Sequence, residues 1–528
     1  WVADMAKKNA PVDLKKLIAR AEAAWQRKLQ WQGILDDAYE FCLPMRNRYS
    51  DKTEGSQKLD RVFDGTAIEA VQRFASRFQS QLTPPFQTWA VLSDGPLVPQ
   101  EKKEQVRTQL QTINKQLFAA IHASNFDHMI GEVYLEGAIS TAGMLILEGD
   151  DSSPLLMQAV PNYQFATDDG PMGSVDGAFR RWEAPVREIE ETWTDAELPE
   201  DLARIGRDTP EQKVKLEEGT FYDSRAKKYA YVVWWKGGAK AEPHKIVERW
   251  YNEHPWVFFR WTKVAGEAMA RGPALYVLPD IKTLNKVKEL VLKNASLSVA
   301  GVWTAVDDGV INPDTIQITP GAVVEIGAQG NLQALQTGGR FDVSQFIIDD
   351  LQMTIKRALF DNQLPPDAGP VRSPTEIMER VKELQEETGA PFGRISHEFI
   401  RPLLQRCLNI LVRKGIIQIP GADPAAPTPE LKIDGLSVAI EITSPLARVQ
   451  QMNDVDGVVN WLQISSFAGQ EAVMGSVKVE DIPPWFADKL GIDLKLVRSE
   501  SERAELQKAM AQMMAQQQMA QQAPQQGQ

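Results

Sequence analysis

The residue types in this chain that could do chemistry are five histidines, two cysteines and several adjacent pairs of aspartates. Their spacing offers little to build on. His122 and His128 are the closest histidine pair and lack the i, i+4 spacing of a helical zinc site. His397–Glu398 is not followed by a second histidine. No Gly-Lys dipeptide occurs, so no Walker A loop can cradle a phosphate, and no G-x-S-x-G elbow presents a serine. Cys42 and Cys407 are too few for a disulfide framework and suit a reducing compartment. A two-metal nuclease needs converging carboxylates, which makes the aspartate pairs worth weighing. Asp150–Asp151, Asp168–Asp169 and Asp307–Asp308 adjoin glycine or serine and read as turns. Asp349–Asp350 sits on a helical pattern, where adjacent side chains diverge. No catalytic, cofactor-binding or metal-binding residue is expected.

Three other patterns carry more. Trp234, Trp235, Trp250, Tyr251, Trp256, Phe258, Phe259 and Trp261, interleaved with Lys and Arg, could stack bases or form sheet core and a subunit contact. Lys282, Lys286 and Lys293 fall within about 40° on a wheel of ~3.6 residues per turn, opposite an apolar stripe; this is either a solvated face or a polyanion-facing one. Between two long helical patterns lies "DNQLPPDAGPVRSP". Pro365, Pro366, Pro370 and Pro374 fix φ and remove donors, so the stretch can neither join a sheet nor continue a helix. Its polar side chains, Asn362, Gln363, Asp367 and Arg372, are expected to face water.

The elements that must position these residues follow from periodicity. Residues 11–42 predict one helix, and 64–82 a second with Asp64 as N-cap. Two more cover 99–124 and 126–140. From Gly143 to about Trp261 short β-rich runs alternate with turn signals, "KGGAK" among them, with a helix at 186–195. Ile281, Leu284, Val287, Val291 and Ala295 mark a helix after Pro273; Val343, Ile347, Leu351, Ile355 and Ala358 mark another; 301–340 between them is β-like. Ile377, Val381, Leu384, Thr388, Phe392, Ile395, Phe399, Leu403 and Ile410 predict a long helix, kinked at Gly389–Pro391. In it, acids dominate 374–390 and bases dominate 391–414. That matches the helix macrodipole and could also stack neighbouring copies. A Pro/Ala linker, a short strand-like run, further helices and a Gln/Met-rich tail complete the chain. The net charge of −13 argues against wrapping nucleic acid by neutralising phosphates, though not against letting a polyanion slide past. No apolar run reaches the ~18 residues of a membrane span.

The runs "FQTWAVL", "TAGMLIL", "ARGPALYVLPDIKTLNKVKE" and "SPTEIMERVKELQEETGAPFGRISHEFIRPLLQRCL", in this order, resemble the portal (head-to-tail connector) proteins of short-tailed, podovirus-type bacteriophages. The resemblance implies an α+β, mainly helical portal fold assembling as a ring around a central channel. It divides the chain into a wing (1–265), a first stem helix (266–300), a clip (301–340) and a second stem helix (341–361). A tunnel loop (362–373), a long helix (374–414), a crown (415–505) and a disordered tail (506–528) follow. It further implies a homo-oligomer, a dodecamer in this family, at one capsid vertex of the virion, made in the bacterial cytoplasm. Such a ring passes double-stranded DNA without sequence preference. Its other partners are the terminase motor, major capsid and scaffolding proteins, and tail adaptor or tube proteins. It nucleates head assembly and serves genome packaging and ejection. Lys282, Lys286 and Lys293 would then face the channel, and Asn362, Gln363, Pro366, Asp367 and Arg372 would belong to the tunnel loop. The rival readings are a scaffolding or coat protein without a channel, and a metal-dependent DNA-processing enzyme.

Overall fold

The computed structural model describes residues 11–47, 59–170, 173–237, 242–300, 303–305, 332–334, 341–361, 391, 393–418 and 438–443, with scattered positions between 455 and 503. The tunnel-loop residues Asn362, Gln363, Pro366, Asp367 and Arg372 fall outside them. So do Asp307–Asp308, most of 301–340 and the first half of the expected long helix, Ile377 to Thr388 with Gly389 and Phe392.

The N-terminal helical stretch is two helices, α1 (Leu14–Leu29) and α2 (Gln32–Cys42), where the sequence predicts one. The two halves serve different cores, which is the physical reason for the break. Leu17, Ala21, Ala24 and Trp25 of α1 pack on Ala166, Phe179, Val232 and Trp234 of a sheet. Leu35, Ala38 and Cys42 of α2 join the main helical core. A single straight helix could not present both faces.

Helix α3 (Thr66–Leu82) buries Ala67, Ala70, Val71, Phe74, Ala75, Phe78 and Leu82, a stripe of helical period. Its N-cap position is Gly65 rather than Asp64. The Asp64 carboxylate nevertheless accepts the Thr66 N–H at 2.8 Å, so the capping chemistry expected of it is present one residue early. β1 (Ala90–Asp94), α4 (Gln100–Ala123) and α5 (Phe126–Ile139) follow.

The β-rich part contains two antiparallel sheets. One has the order β3-β2-β9, from β2 (Ala142–Glu148), β3 (Leu155–Val160) and β9 (Trp256–Phe259). The other is a five-stranded meander of β4 (Phe165–Asp169), β5 (Val175–Pro185), β6 (Lys213–Asp223), β7 (Lys228–Lys236) and β8 (Pro243–Tyr251). β7 and β8 pair as "KGGAK" predicts. Helix α6 (Val186–Thr192) matches the expected interruption. Helix α7 (Glu200–Asp208) was not expected, although Pro199 before Glu200 and Asp201 is an ordinary helix-start signal. The aromatic cluster is core. Trp234, Tyr251, Trp256, Phe258, Phe259 and Trp261 are buried, and Trp235 and Trp250 are half-buried.

Short strands β10 (Thr262–Lys263) and β11 (Ala270–Arg271) and the turn helix α8 (Pro273–Tyr276) lead into α9 (Leu278–Ala300). β12 (Trp303–Ala305) pairs with β13 (Leu332–Ala334), and α10 (Phe341–Ala358) returns. Among the described side chains of α10 Ile348 and Ile355 are buried, as is Leu359 just beyond it, while Ile347, expected inside, is exposed. Adjacent Ile347 and Ile348 both fit the period, and packing selects the second.

A π-helical turn (Ser396–Ile400) runs into α11 (Arg401–Arg413). Ile395, Phe399, Leu403 and Ile410 are fully buried, as the period predicts. Finally β14 (Val438–Ile442) pairs antiparallel with β1, tying the C-terminal part to the N-terminal one.

Candidate functional site

Among the described residues no group of histidines, cysteines and acids could hold a metal ion. His122 is held by Asp127 at 3.1 Å and the Gln87 carbonyl at 2.9 Å, while His128 is exposed, so the pair does not converge. Burial pushes the thiols of Cys42 and Cys407 up to about 12, which leaves them unreactive. Burial also holds His254 neutral, down at about 3. A cavity of about 100 Å³ between the sheets is lined by Arg180, Glu218, Trp182 and Trp193, and has room for a few waters. Asp150 makes the expected turn, accepting from Ser152 Oγ at 2.7 Å and Ser153 N at 2.6 Å. Asp168–Asp169 does not serve a turn. Asp168 binds Arg20 and Arg27 of α1, each at 2.7 Å, and Asp169 binds Arg260 and Lys263. Those carboxylates are fasteners between elements, not ligands.

The feature left for function is the α9–α10 hairpin. It is joined to the body through Asp64, a nearly buried carboxylate. Lys288 of α9 pairs with it, and Gln352 of α10 donates to it at 2.9 Å. Asn285 Oδ1 accepts the Phe63 and Asp64 N–H groups at 2.8 and 3.0 Å. Burial pushes the Asp64 carboxyl up, but hydrogen bonds from Lys288, Thr66 and Gln352 outweigh it and hold the pKa below the ordinary aspartate value. One side chain thus caps α3 and holds both hairpin helices.

Lys282, Lys286 and Lys293 share one exposed face of α9. None is bare. Lys282 Nζ lies 2.7 Å from Asp37 Oδ2 on α2; Lys286 and Lys293 Nζ lie 2.9 and 2.6 Å from the two oxygens of Glu289. Hydrogen bonds from Lys293 and Lys286 hold the Glu289 carboxyl down at about 2. On the wheel Glu289 falls at the edge of the lysine stripe, about 20° from Lys282. A count of bases alone passes over it, as it passes over the Asp36–Asp37 pair. Leu290 and Leu292 flank the stripe on opposite sides, about 60° and 100° from its middle, and are 54% and 55% exposed. On α10, Phe346, Ile347 and Met353 are 75%, 42% and 70% exposed.

The chain enters the predicted loop from a pinned end. Phe360 N and Asp361 N donate to Arg357 O (3.0 Å) and Lys356 O (2.8 Å), a Schellman closure of α10. Phe360, not glycine, occupies its left-handed position, with φ 58°. That conformation costs about 1 kcal/mol in a non-glycine residue. The Phe360 ring offsets it against Trp261 (5.5 Å between centroids) and Phe74 (6.4 Å). Arg77 donates to Phe360 O, and Arg73 binds the buried Asp361 carboxylate at 3.0 Å. Beyond the loop, the helix is fastened by Glu398 to Arg260 (2.7 Å), by Arg406 to Glu253 (2.6 Å) and by Arg413 to Glu148 (2.6 Å). Arg406 and Arg413, in the basic half of the long helix, thus have partners inside the chain.

The profile of the family described as bacteriophage head to tail connecting protein matches residues 14–497. The chain belongs to that family. It is a connector of the phage virion, a structural component and not an enzyme. The connector is 22% identical over 522 residues to a probable portal protein of Bordetella phage BPP-1, covering 94% of this chain and 90% of that one. It is also 22% identical over 523 residues to the portal protein of Salmonella phage epsilon15, covering 92% and 86%. Among solved structures, it is similar to a chain of the virion of a native gene transfer agent particle (9% identity, 77% and 90% of the chains, TM-score 0.33). The neck of that particle computed with C12 symmetry gives 11% identity, 78% and 90% coverage and TM-score 0.30. Among the described residues of the connector, no helix is long and apolar enough to cross a membrane.

Proposed function

We propose that this connector is a portal. Copies close into a ring, a dodecamer, whose channel carries double-stranded DNA into the head during packaging and out on ejection. The observation that carries this reading is the exposed hairpin. Leu290 and Leu292 stand on both sides of the lysine stripe, and Phe346, Ile347 and Met353 stand on the companion helix. Apolar surface displayed on both flanks of one hairpin favours a neighbour on each side. A ring is the closed solution when every subunit offers the same two surfaces. The face left between the neighbours is the one that carries Lys282, Lys286 and Lys293, which we assign to the channel lining.

In the same reading, 1–265 is the wing, 266–300 and 341–361 the stem, and 301–340 the clip. The long helix is 374–414 and the crown 415–505. The 362–373 stretch narrows the channel from between its fastened attachments at Phe360–Asp361 and Ile395–Phe399. The terminase motor, capsid and scaffolding proteins and tail adaptors dock on the ring, which nucleates head assembly. The names of the two phage relatives support the portal assignment. Reversing Lys282, Lys286 and Lys293 to Glu tests the channel assignment. Rings should still form, while DNA-filled heads should be lost; normal filled heads from that variant would overturn it.

A further inference from the structure

The lysine face contains its own anion. Glu289 sits between Lys286 and Lys293 at the i−3 and i+4 spacings and holds one ammonium on each carboxylate oxygen, at 2.9 and 2.6 Å. Its side chain is only 19% exposed beneath lysines that are 63% and 66% exposed. The carboxylate is therefore covered by the two ammoniums it binds, while they remain open to solvent. Asp37 holds Lys282 in the same way from α2.

Resting on the channel assignment above, we infer that Glu289 sets how strongly the lysine face holds passing DNA, by competing with phosphates for Lys286 and Lys293. A phosphate that reaches the stripe must draw an ammonium from a carboxylate already in contact, so its net gain is the difference between two similar ion pairs. When the phosphate moves on, the ammonium returns to Glu289 rather than to water. The exchange lowers affinity without removing positive charge. Exposed lysine–carboxylate contacts of this kind are weak and labile, which suits a surface that must release every phosphate it meets. A bare stripe of ammoniums repeated round a ring would bind DNA with the steep salt dependence of a polycation and would resist sliding. The acid therefore makes the face a carrier of weak, replaceable contacts.

The test uses the purified, assembled full-length protein and a short fluorescent DNA duplex, titrated at salt from ~50 to ~200 mM. Three variants are compared with wild type: Glu289→Gln, the Lys282→Glu/Lys286→Glu/Lys293→Glu triple reversal, and Glu190→Gln. Glu190 is an exposed acid on α6 whose loss removes the same charge away from the stripe. Glu289→Gln keeps shape and helix propensity and frees two ammoniums per copy. It should tighten binding at least about threefold at ~150 mM salt and steepen the salt dependence, while Glu190→Gln should do neither. Equal effects of Glu289→Gln and Glu190→Gln, with binding weakened by the triple reversal, would overturn the inference and leave the lysine face standing. No change on triple reversal would remove the lysine face from the DNA path, and the role of Glu289 with it.

Discussion

Replacing Asp64 with alanine should loosen the hairpin from the body without unfolding the wing. The carboxylate does three things that alanine cannot. It caps α3 through the Thr66 N–H, holds the Lys288 ammonium, and accepts the Gln352 amide. The lost cap costs about 1 kcal/mol. The charge-assisted bond to Lys288 adds about 1.5 kcal/mol, at the low end because that side chain is 32% exposed. The stranded Gln352 amide adds about 1 kcal/mol. The sum is roughly 3.5 kcal/mol, or about three-hundredfold in a local opening equilibrium at ~1.4 kcal/mol per decade. Hydrogen exchange read by mass spectrometry should therefore show α9 (278–296) and α10 (345–358) exchanging about three-hundredfold faster, with the β4–β8 sheet unchanged. Asp64→Asn keeps an acceptor for Thr66 and should lose about half as much. The sign of the pH dependence follows from the lowered pKa. The contribution is full above the unfolded aspartate value of ~3.9 and fades as pH falls through the folded value, so wild type and Asp64→Ala should converge in strong acid. If α9 and α10 in Asp64→Ala exchanged within about threefold of wild type at neutral pH, Asp64 would not be the joint.

Removing Glu253 strands Arg406, which is fully buried and makes its carboxylate contact there. Glu253→Ala should cost about 3–5 kcal/mol and lower the unfolding midpoint by several degrees. An unchanged midpoint would mean that water reaches Arg406. Deleting Leu364–Gly369 and rejoining the ends with a short glycine linker should leave rings intact, because α10 and the long helix are fastened outside the deletion by Arg73, Arg77 and Glu398. Heads carrying that deletion should package poorly or leak their genome; heads that fill and hold DNA normally would reduce the loop to a connector.

Local periodicity made much of the fold legible. Helices α3, α4, α5, α9 and α10, the β-rich block and the buried face of 395–410 all stand where spacing of apolar residues puts them. What sequence could not give were choices made by distant partners. α1 and α2 separate because one packs on the five-stranded sheet and the other on α3, and nothing near Gln30 announces that. Asp64 reads as a cap, yet its roles toward Lys288 and Gln352 depend on contacts more than 220 positions away. Arg406 and Arg413 look like a dipole-matched helix end until Glu253 and Glu148 are seen beside them. Glu289 is different. Its i−3 and i+4 relation to Lys286 and Lys293 was readable from the sequence, and only counting acids along with bases on the wheel finds it.

The decisive measurement is a particle-image reconstruction of the purified protein, without nucleotide, metal or nucleic acid. The portal reading predicts a closed ring with a lumen wide enough for a DNA duplex. In it, Leu290, Leu292, Phe346, Ile347 and Met353 are buried between neighbours, and Lys282, Lys286 and Lys293 point to the axis. A stable monomer, a closed shell or a filament would contradict it, as would a ring whose lysine face lies buried against the neighbouring subunit.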